Sequence, residues 1–546
     1  MIRLRARHRG PATTILILIL GIIFVPAATR AQQQSQVCCA SGAAENAETH
    51  GRSHKKPAAL TGFAAQVEKI LGTAPQNKGN WGLLVADAAS GEVLYQCNAD
   101  KYFVPASNMK LFTTALALAK LGPDFRFHTT LESALQPSPQ GILQGPLYLV
   151  GRGDPDLSNR KYPFELKEEF DGAPEKLIAE LADALVAKGI KEITGDIVGD
   201  DSYFPRERYP EGWEIDDMVW EYGAAISAIV VDDNTGTVTL NPGMTAGAPV
   251  TADTSPATPD FAVNNQVATS AAGVKPDLTL TREPGSSLVQ ITGTLPAGGN
   301  PRKLVLAIQE PALHAASLLK SLLEKRGVKV DGAARALHLP PGPVPGEARV
   351  ELAEHDSIPL SESVKLINKI SQNLHAEMLL RAAARQSGVW SKPEDLYKFP
   401  QDFYATAGIA ADDVVQTDGS GLSRHDLITP HAAVTLLEYT EKQPWFPAYF
   451  DSLPVAGIDG TLQDRLKNTI AEGRIHAKTG SVEHVRTLSG FAELPSGRRL
   501  VFSFLSNNLN AKNHEGGDAL DALCVAMIQE FDNPEKPVRA KKKHKS

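Results

Sequence analysis

The sequence predicts an α+β fold: an antiparallel sheet flanked by helices, split by a large insertion of two smaller domains. Three observations predict it. Near residue 81, WGLLVADAASGEVLYQC places two alternating runs around an Ala-Ser-Gly turn, the pattern of a β-hairpin. Near the C-terminus, RIHAKTG, VRTLSGFAELP and RRLVFSFLSN give three more strand-like runs, the last two around a Pro-Ser-Gly turn. A meander is expected there, able to join the hairpin in one sheet. Between the two, from about 127 to 345, short apolar runs alternate with Gly/Pro turns, unlike either flank.

Taken in order, the chain of 546 residues is too long for one hydrophobic core. Residues 1–31 join a basic stretch (RLRARHRG), an apolar one (TTILILILGIIFV) and small residues at ATRA, the pattern of an export signal cut after Ala31. An uncleaved anchor is the alternative, although the apolar stretch is short for a span. The mature protein is expected outside the cytoplasm, in a periplasm or at an outer face. Residues 32–58 are polar and read as a flexible leader. The split domain is expected at 59–126 and 346–535, with inserted domains at 127–345 and an inner insert at about 151–227.

Within the insert, GPLYLVG, ITGDIVGD, GTVTLNPG, LTLTREPG, SLVQITGTLP and KLVLAIQE read as strands, and PEKLIAELADALVAKG and PALHAASLLKSLLEKRG as helices. PPGPVPG near 340 reads as the exit linker. Helical patterns then return in LSESVKLINKISQNLHAEMLLRAAARQ and TPHAAVTLLEYTEK, and ALDALCVAMIQEF closes the globular part. Residues 536–546 form a basic tail. The net charge of −8 argues against nucleic acid as the main partner. The four cysteines have no metal-ligand spacing, and no metal or cofactor is expected. VCC lacks the small residue that precedes a lipidated cysteine.

S-x-x-K occurs three times, at Ser53/Lys56, Ser107/Lys110 and Ser317/Lys320. The first lies in the leader and the last in mid-helix. Only Ser107 stands at a helix start, behind Pro105 and Ala106, where free N–H groups stabilise negative charge. Alone, Ser107 is equally an N-cap. Two later elements change that. Ser371-Gln372-Asn373 lies within a helical pattern, and Lys478-Thr479-Gly480 ends a strand-like run. A decoy, Ser506-Asn507-Asn508, follows K-T-G and is in the wrong order. S-x-x-K, S-x-N and K-T-G in sequence are the signature of class A β-lactamases and penicillin-binding proteins.

The chemistry needs these groups. A serine hydroxyl attacks well only when a base takes its proton. Lys110 serves if it is partly neutral, and burial and the nearby cation Lys478 would both lower its pKa. Ser371 can relay a proton to the leaving amine, and Asn373 can hold Lys110 and a substrate amide. Lys478 and Thr479 can grip a substrate carboxylate, and Gly480 lets a substrate backbone lie along the strand edge. The N–H groups of Ser107 and Ser481 would form the oxyanion hole, where one donor is worth about 3–4 kcal/mol.

With these residues the chain resembles the class C low-molecular-mass penicillin-binding proteins, D-alanyl-D-alanine carboxypeptidases and endopeptidases of peptidoglycan. The resemblance runs from about residue 60 to 530. It rests most on the spacing of about 260 residues between Ser107 and Ser371, and extends to LVGRGDPDLS, GDIVGDDSYFP, GWEIDDMVWEYGAAISAIVVDDN, DGSGLSRHDLITP and LPVAGIDGTLQDRL. It implies a β-lactamase/transpeptidase-like domain split by two inserted ones. It also implies acylation of Ser107 by the penultimate D-alanine, hydrolysis by water, covalent inhibition by β-lactams and no metal. It further implies that Asp217 and Tyr222 of the insert meet Arg424 to bind the end of a diamino acid side chain.

Three features depart from the family: Gln372 in S-x-N, Val482-Glu483 after K-T-G-S, and the basic tail. That tail is either a solvated end or a weak grip on membrane lipid or wall polymer. Rival readings are a serine β-lactamase, a catalytically dead wall-binding protein and a Ser-His-Asp hydrolase. No E-x-x-L-N loop lies between Ser371 and Lys478, the motif triplet is intact, and no G-x-S-x-G appears.

Overall fold

The computed structural model describes residues 62–532 apart from 166–169, 174, 257–260, 339–347, 390–392 and 511–514. The expected export signal, the leader, the PPGPVPG linker and the basic tail lie outside the described residues. Among the described residues no helix is long and apolar enough to cross a membrane.

A five-stranded sheet runs in the order Ile475–Val482, Val485–Glu493, Arg499–Asn507, Asn80–Asp87, Val93–Cys97, antiparallel throughout. The early hairpin and the late meander therefore meet, Asn80–Asp87 pairing along its length with Arg499–Asn507. Alternation sends Leu83, Val85, Phe502 and Phe504 to one face, against Phe63–Leu71 and Glu515–Phe531. Leu84, Phe491, Val501 and Leu505 go to the other, against Met109–Leu121 and its neighbouring helices. Met109–Leu121 is buried at every position from Met109 to Leu118. A helix enclosed on all sides is held rigidly, which suits the element that carries Lys110.

The insertion begins at His128–Ser133. This strand joins Ala334–Leu337, Ile197–Asp200, Leu147–Val150 and Val350–Asp356 in a second five-stranded sheet. Lys176–Ala187 and Pro311–Lys325 cover it with leucine, isoleucine and alanine. Two three-stranded sheets follow. Ala262–Ser270, Leu288–Pro296 and Asp277–Thr281 form one, and Arg302–Ala307, Thr235–Asn241 and Thr251–Ser255 the other. They share a small core that includes Val238, Phe261, Ile291 and Leu306.

These pairings show how the inserted stretch is organised. The strands between 235 and 307 form the two three-stranded sheets, while the stretch 151–227 supplies Ile197–Asp200 and Lys176–Ala187 to the second five-stranded sheet and its cover, and Val219 to the small core. Val350–Asp356 pairs with His128–Ser133. Periodicity marks a strand but not the distant strand it pairs with.

One difference from the sequence pattern bears on the site. The helical pattern over 360–386 is two helices, Leu360–Ile370 and Asn373–Gln386, broken at Ser371, whose φ is 65° and ψ 38°. This left-handed conformation is uncommon for a residue with a Cβ and clusters at functional sites. Gln372 then caps the second helix, its side chain accepting from the Leu374 N–H.

Candidate active site

Ser107 sits in a single 3₁₀ turn, Ala106–Asn108, that leads into Met109–Leu121. The N-cap positions of the turn and of the helix are held by Pro105 and Asn108, so the N-cap alternative for Ser107 falls. Lys110 is one turn on and wholly buried, with its Nζ 2.9 Å from Ser107 Oγ. The same Nζ lies 2.6 Å from Asn373 Oδ1 and 2.6 Å from the Ser420 carbonyl oxygen. The Asn373 amide is oriented because its Nδ2 donates to the Tyr222 carbonyl at 2.8 Å.

This arrangement specifies how a neutral Lys110 must sit. Asn373 Oδ1 and the Ser420 carbonyl only accept. They take both hydrogens of a neutral amine, which leaves its lone pair for the Ser107 hydroxyl. Burial lowers the Lys110 pKa to about 7, against the opposing pull of Asp418, Glu377 and Asp426. The cause expected from sequence was partly the Lys478 cation; burial is the one that dominates.

Lys478 is also wholly buried and lies in the edge strand Ile475–Val482, in its interior rather than at its end. Its Nζ is 2.9 Å from Ser371 Oγ and 2.9 Å from the Thr479 carbonyl. Burial first, then Lys110, pushes its pKa well below the usual lysine range. The Asn108 side chain ties the strand to the Ser107 turn by donating to the Lys478 carbonyl at 2.9 Å. Two hydrogen-bonded sets drawn from three distant stretches thus meet at the site, Ser107 with Lys110 and Asn373, and Ser371 with Lys478.

Gly480 has a packing reason beside the one expected. A Cβ there would lie 2.1 Å from Thr487 Oγ1, 2.7 Å from the Pro105 carbonyl and 3.1 Å from the Ser107 nitrogen. The strand needs glycine so that the Ser107 turn can approach it. Thr479 bonds Thr461 Oγ1 at 2.7 Å and does not line the cavity over Ser107. Ser481 is exposed on the strand and does line it.

That cavity encloses about 580 Å³. Ser107, Ser371 and Asn373 form its floor, and Asp217, Tyr222 and Arg424 all reach its wall. The Tyr222 hydroxyl hydrogen-bonds the Asp217 carboxylate, and burial raises the Asp217 pKa above the ordinary range. Arg424 Nε lies 3.3 Å from Glu214 Oε1, and its Nη1 donates to the Glu483 carbonyl at 2.7 Å. Arg424 thus both takes part in an ion pair and lines the cavity. Of the decoys, Lys320 pairs with Glu324 on its own helix, and Ser506 is buried in the central sheet.

Residues 63–527 match the D-Ala-D-Ala carboxypeptidase 3 (S13) family. The chain belongs to this family. It is 35% identical over 492 residues to a D-alanyl-D-alanine carboxypeptidase of an Actinomadura species, covering 86% of this chain and 85% of that one. It is 29% identical over 442 residues to the D-alanyl-D-alanine carboxypeptidase DacB of Haemophilus influenzae, covering 78% and 84%. Its fold is similar to the crystal structure of penicillin binding protein 4 from Haemophilus influenzae, with a TM-score of 0.74, 26% identity, and 87% of this chain and 100% of that one covered. The S13 chain is a serine-type hydrolase of the β-lactamase/transpeptidase-like fold, a class C low-molecular-mass penicillin-binding protein.

Sequence reasoning did not single out the groups that hold this S13 site from behind. Asp418 heads the DGSGLSR turn and accepts from the N–H groups of Ser420, Gly421 and Ser423 at 3.0, 2.6 and 2.8 Å, and from Trp213 Nε1 at 2.9 Å. This fixes the Ser420 carbonyl on Lys110. Glu377 accepts from the Gly419 N–H at 2.8 Å. An acidic residue heading a Gly/Ser turn was the available cue.

Proposed function

We propose that the chain is a serine D-alanyl-D-alanine carboxypeptidase and D,D-endopeptidase of peptidoglycan stem peptides, with Ser107 as nucleophile and β-lactams as covalent inhibitors. The observation that carries this is the Lys110 amine, buried, with a pKa of about 7 and two acceptors that turn its lone pair toward Ser107.

The steps follow from the geometry. The substrate lies along Ile475–Val482, its carbonyl oxygen between the N–H groups of Ser107 and Ser481. Ser107 Oγ attacks, Lys110 takes its proton, and the C–N bond breaks as Ser371 passes a proton to the departing amine. Water then hydrolyses the ester. Lys478, with Thr479 beside it, meets the substrate's carboxylate. An arriving carboxylate favours the charged form of Lys478, and repulsion between the two amines then favours neutral Lys110. Binding thus prepares the base. Gly480 seats the strand against Ser107, and Asp217, Tyr222 and Arg424 take the polar end of the stem's diamino acid.

Export fits this substrate, so residues 1–31 serve as the signal and the protein works in the periplasm or facing the wall. The basic tail then has an anionic lipid or wall polymer within reach.

The test is mass spectrometry after incubation with penicillin. We expect one stable adduct on the peptide containing Ser107, D-alanine release from a pentapeptide, and neither in Ser107→Ala. An unmodified wild type overturns the reading, and fast turnover of a chromogenic cephalosporin favours a β-lactamase.

A further inference from the structure

The insertion grips both helices that meet at the Ser371 break. In the helix before it, Ser363 Oγ donates to Asp156 Oδ2 at 2.5 Å. After it, Asp233 takes two side chains. Gln372 Nε2 donates to its Oδ2 at 3.0 Å, and His375 Nε2 to its Oδ1 at 2.9 Å, since a carboxylate only accepts. Asp233 is itself fixed from within the insertion. Arg160 forms an ion pair with it, and its own N–H donates to Ser158 Oγ at 2.8 Å. Asp232, Asp233 and Asn234 have φ of 50°, 50° and 56°, a left-handed run that Asp and Asn tolerate. Burial disfavours a charge at Asp233, yet Arg160 and His375 hold its carboxyl well below the usual carboxylate range.

We propose that Asp233 is a positioning residue for the proton relay: through Gln372 it keeps Ser371 in the left-handed conformation that holds its hydroxyl between Lys478 and the departing nitrogen. This rests on the reading of Ser107 as nucleophile and Ser371 as relay. Three observations carry it. First, Ser371 has φ 65° although it bears a Cβ, and such a residue keeps that conformation only where its surroundings over-determine it. Second, the bond from Lys478 Nζ, at 2.9 Å, holds the Ser371 side chain. The backbone is held one residue on, where Gln372 joins Asp233 and caps the next helix. Third, Asn373 is held separately, by the Tyr222 carbonyl and by Lys110. The link to Asp233 therefore serves the relay rather than the base.

Two leaving groups separate relay from base. In a D,D-peptide the Ser107 Oγ–carbon bond forms as the carbon–nitrogen bond breaks. The nitrogen leaves with the proton that Lys110 took from Ser107 and Ser371 passed on. In a thioester of the same acyl group the carbon–sulfur bond breaks instead. The sulfur leaves as a thiolate, stable near neutral pH, and the proton stays on Lys110. Only the peptide needs Ser371 in place.

The test measures kcat/KM for a D,D-peptide and for the thioester that carries sulfur in place of the departing nitrogen and keeps the terminal carboxylate. Gln372→Ser retains a capping oxygen for the helix but is too short to reach Asp233. Asp233→Gly keeps the left-handed backbone and removes the carboxylate. In both variants we expect the peptide to lose about 10–100-fold, the cost of a misplacement of up to about 1 Å, and the thioester to stay within about twofold. If Asp233→Gly does not fold, with Arg160 left unpaired, Gln372→Ser decides alone. Equal losses on both substrates in Gln372→Ser, a loss on the thioester only, or none on either, would overturn the proposal. Ser371→Ala is measured alongside and should show the same split, enlarged. An even loss there would sink the relay reading and the proposal with it. A split there but not in Gln372→Ser would sink the role of Asp233 alone. A wild type that cleaves neither substrate would sink the reading of Ser107.

Discussion

The floor of the cleft and its rim are built on opposite terms. On the floor, Lys110 and Lys478 are wholly buried, and both amines are hydrogen-bonded within the protein. At the rim, Asp217 is half-buried, while Glu214 and Glu483 face solvent. The difference teaches where reaction and selectivity reside. Burial fixes the floor before any substrate arrives, so its geometry sets the chemistry. The rim keeps charge available in water, where a substrate group can displace solvent and be selected.

The floor is tested first because its effects should be largest. Lys110→Ala should slow penicillin acylation by about 10²–10⁴-fold, the span of a lost general base. The wild type carries a pH signature. A lowered pKa means the amine is neutral above about 7 and charged below it. The acylation rate should therefore climb through neutral pH and level off on the alkaline side. A rise delayed to the ordinary lysine range would show that burial does not act on Lys110. The rim comes next. Asp217→Ala should leave acylation by penicillin and cleavage of small D,D-peptides near wild type. On stem peptides with a full diamino acid it should cost about 10–100-fold in kcat/KM, as for a half-buried charged hydrogen bond. Kinetics on matched peptides with and without the diamino side chain reads this directly. Equal loss on both would move Asp217 from the rim to the floor.

The same contrast explains what the sequence made legible. The Ser107–Lys110 relation is local, since helical spacing alone sets one turn between them. K-T-G in a strand was readable for the same reason, and so was the sheet, from alternation in LLVAD and RLVFSFLSN. The break at Ser371 was not. Apolar positions continue from Val364 and Ile367 to Leu374 and Met378 as if one helix ran through. What stabilises the break lies far away in sequence: Asp233 accepts from the Gln372 amide, and Lys478 donates to Ser371 Oγ. Gln372, a departure from the family pattern, has both a partner and a capping role there. Asp418 was hidden likewise, because its burial against Trp213 depends on the insertion folding over the turn.

The smallest effect is expected at Glu483, where the chain also departs from its family. Its side chain is 72% exposed, lies 3.5 Å from His484 Nε2, and lines the outer cavity beside Arg486. A charge so open to water interacts through a high dielectric, so its contribution to binding an ammonium is below about 1 kcal/mol. Glu483→Gln should therefore raise KM for amine-bearing stems by about two- to fivefold at low salt. The effect should fade as ionic strength approaches about 1 M, where the screening length shrinks to about 3 Å. The acylation rate at saturating substrate should not move, because Glu483 touches none of the groups that hold Ser107 or Lys110. Titrating KM against salt for both proteins decides the matter. A salt-independent defect would mean that Glu483 contacts substrate directly in a water-excluded site, and the outer wall would then belong with the buried floor.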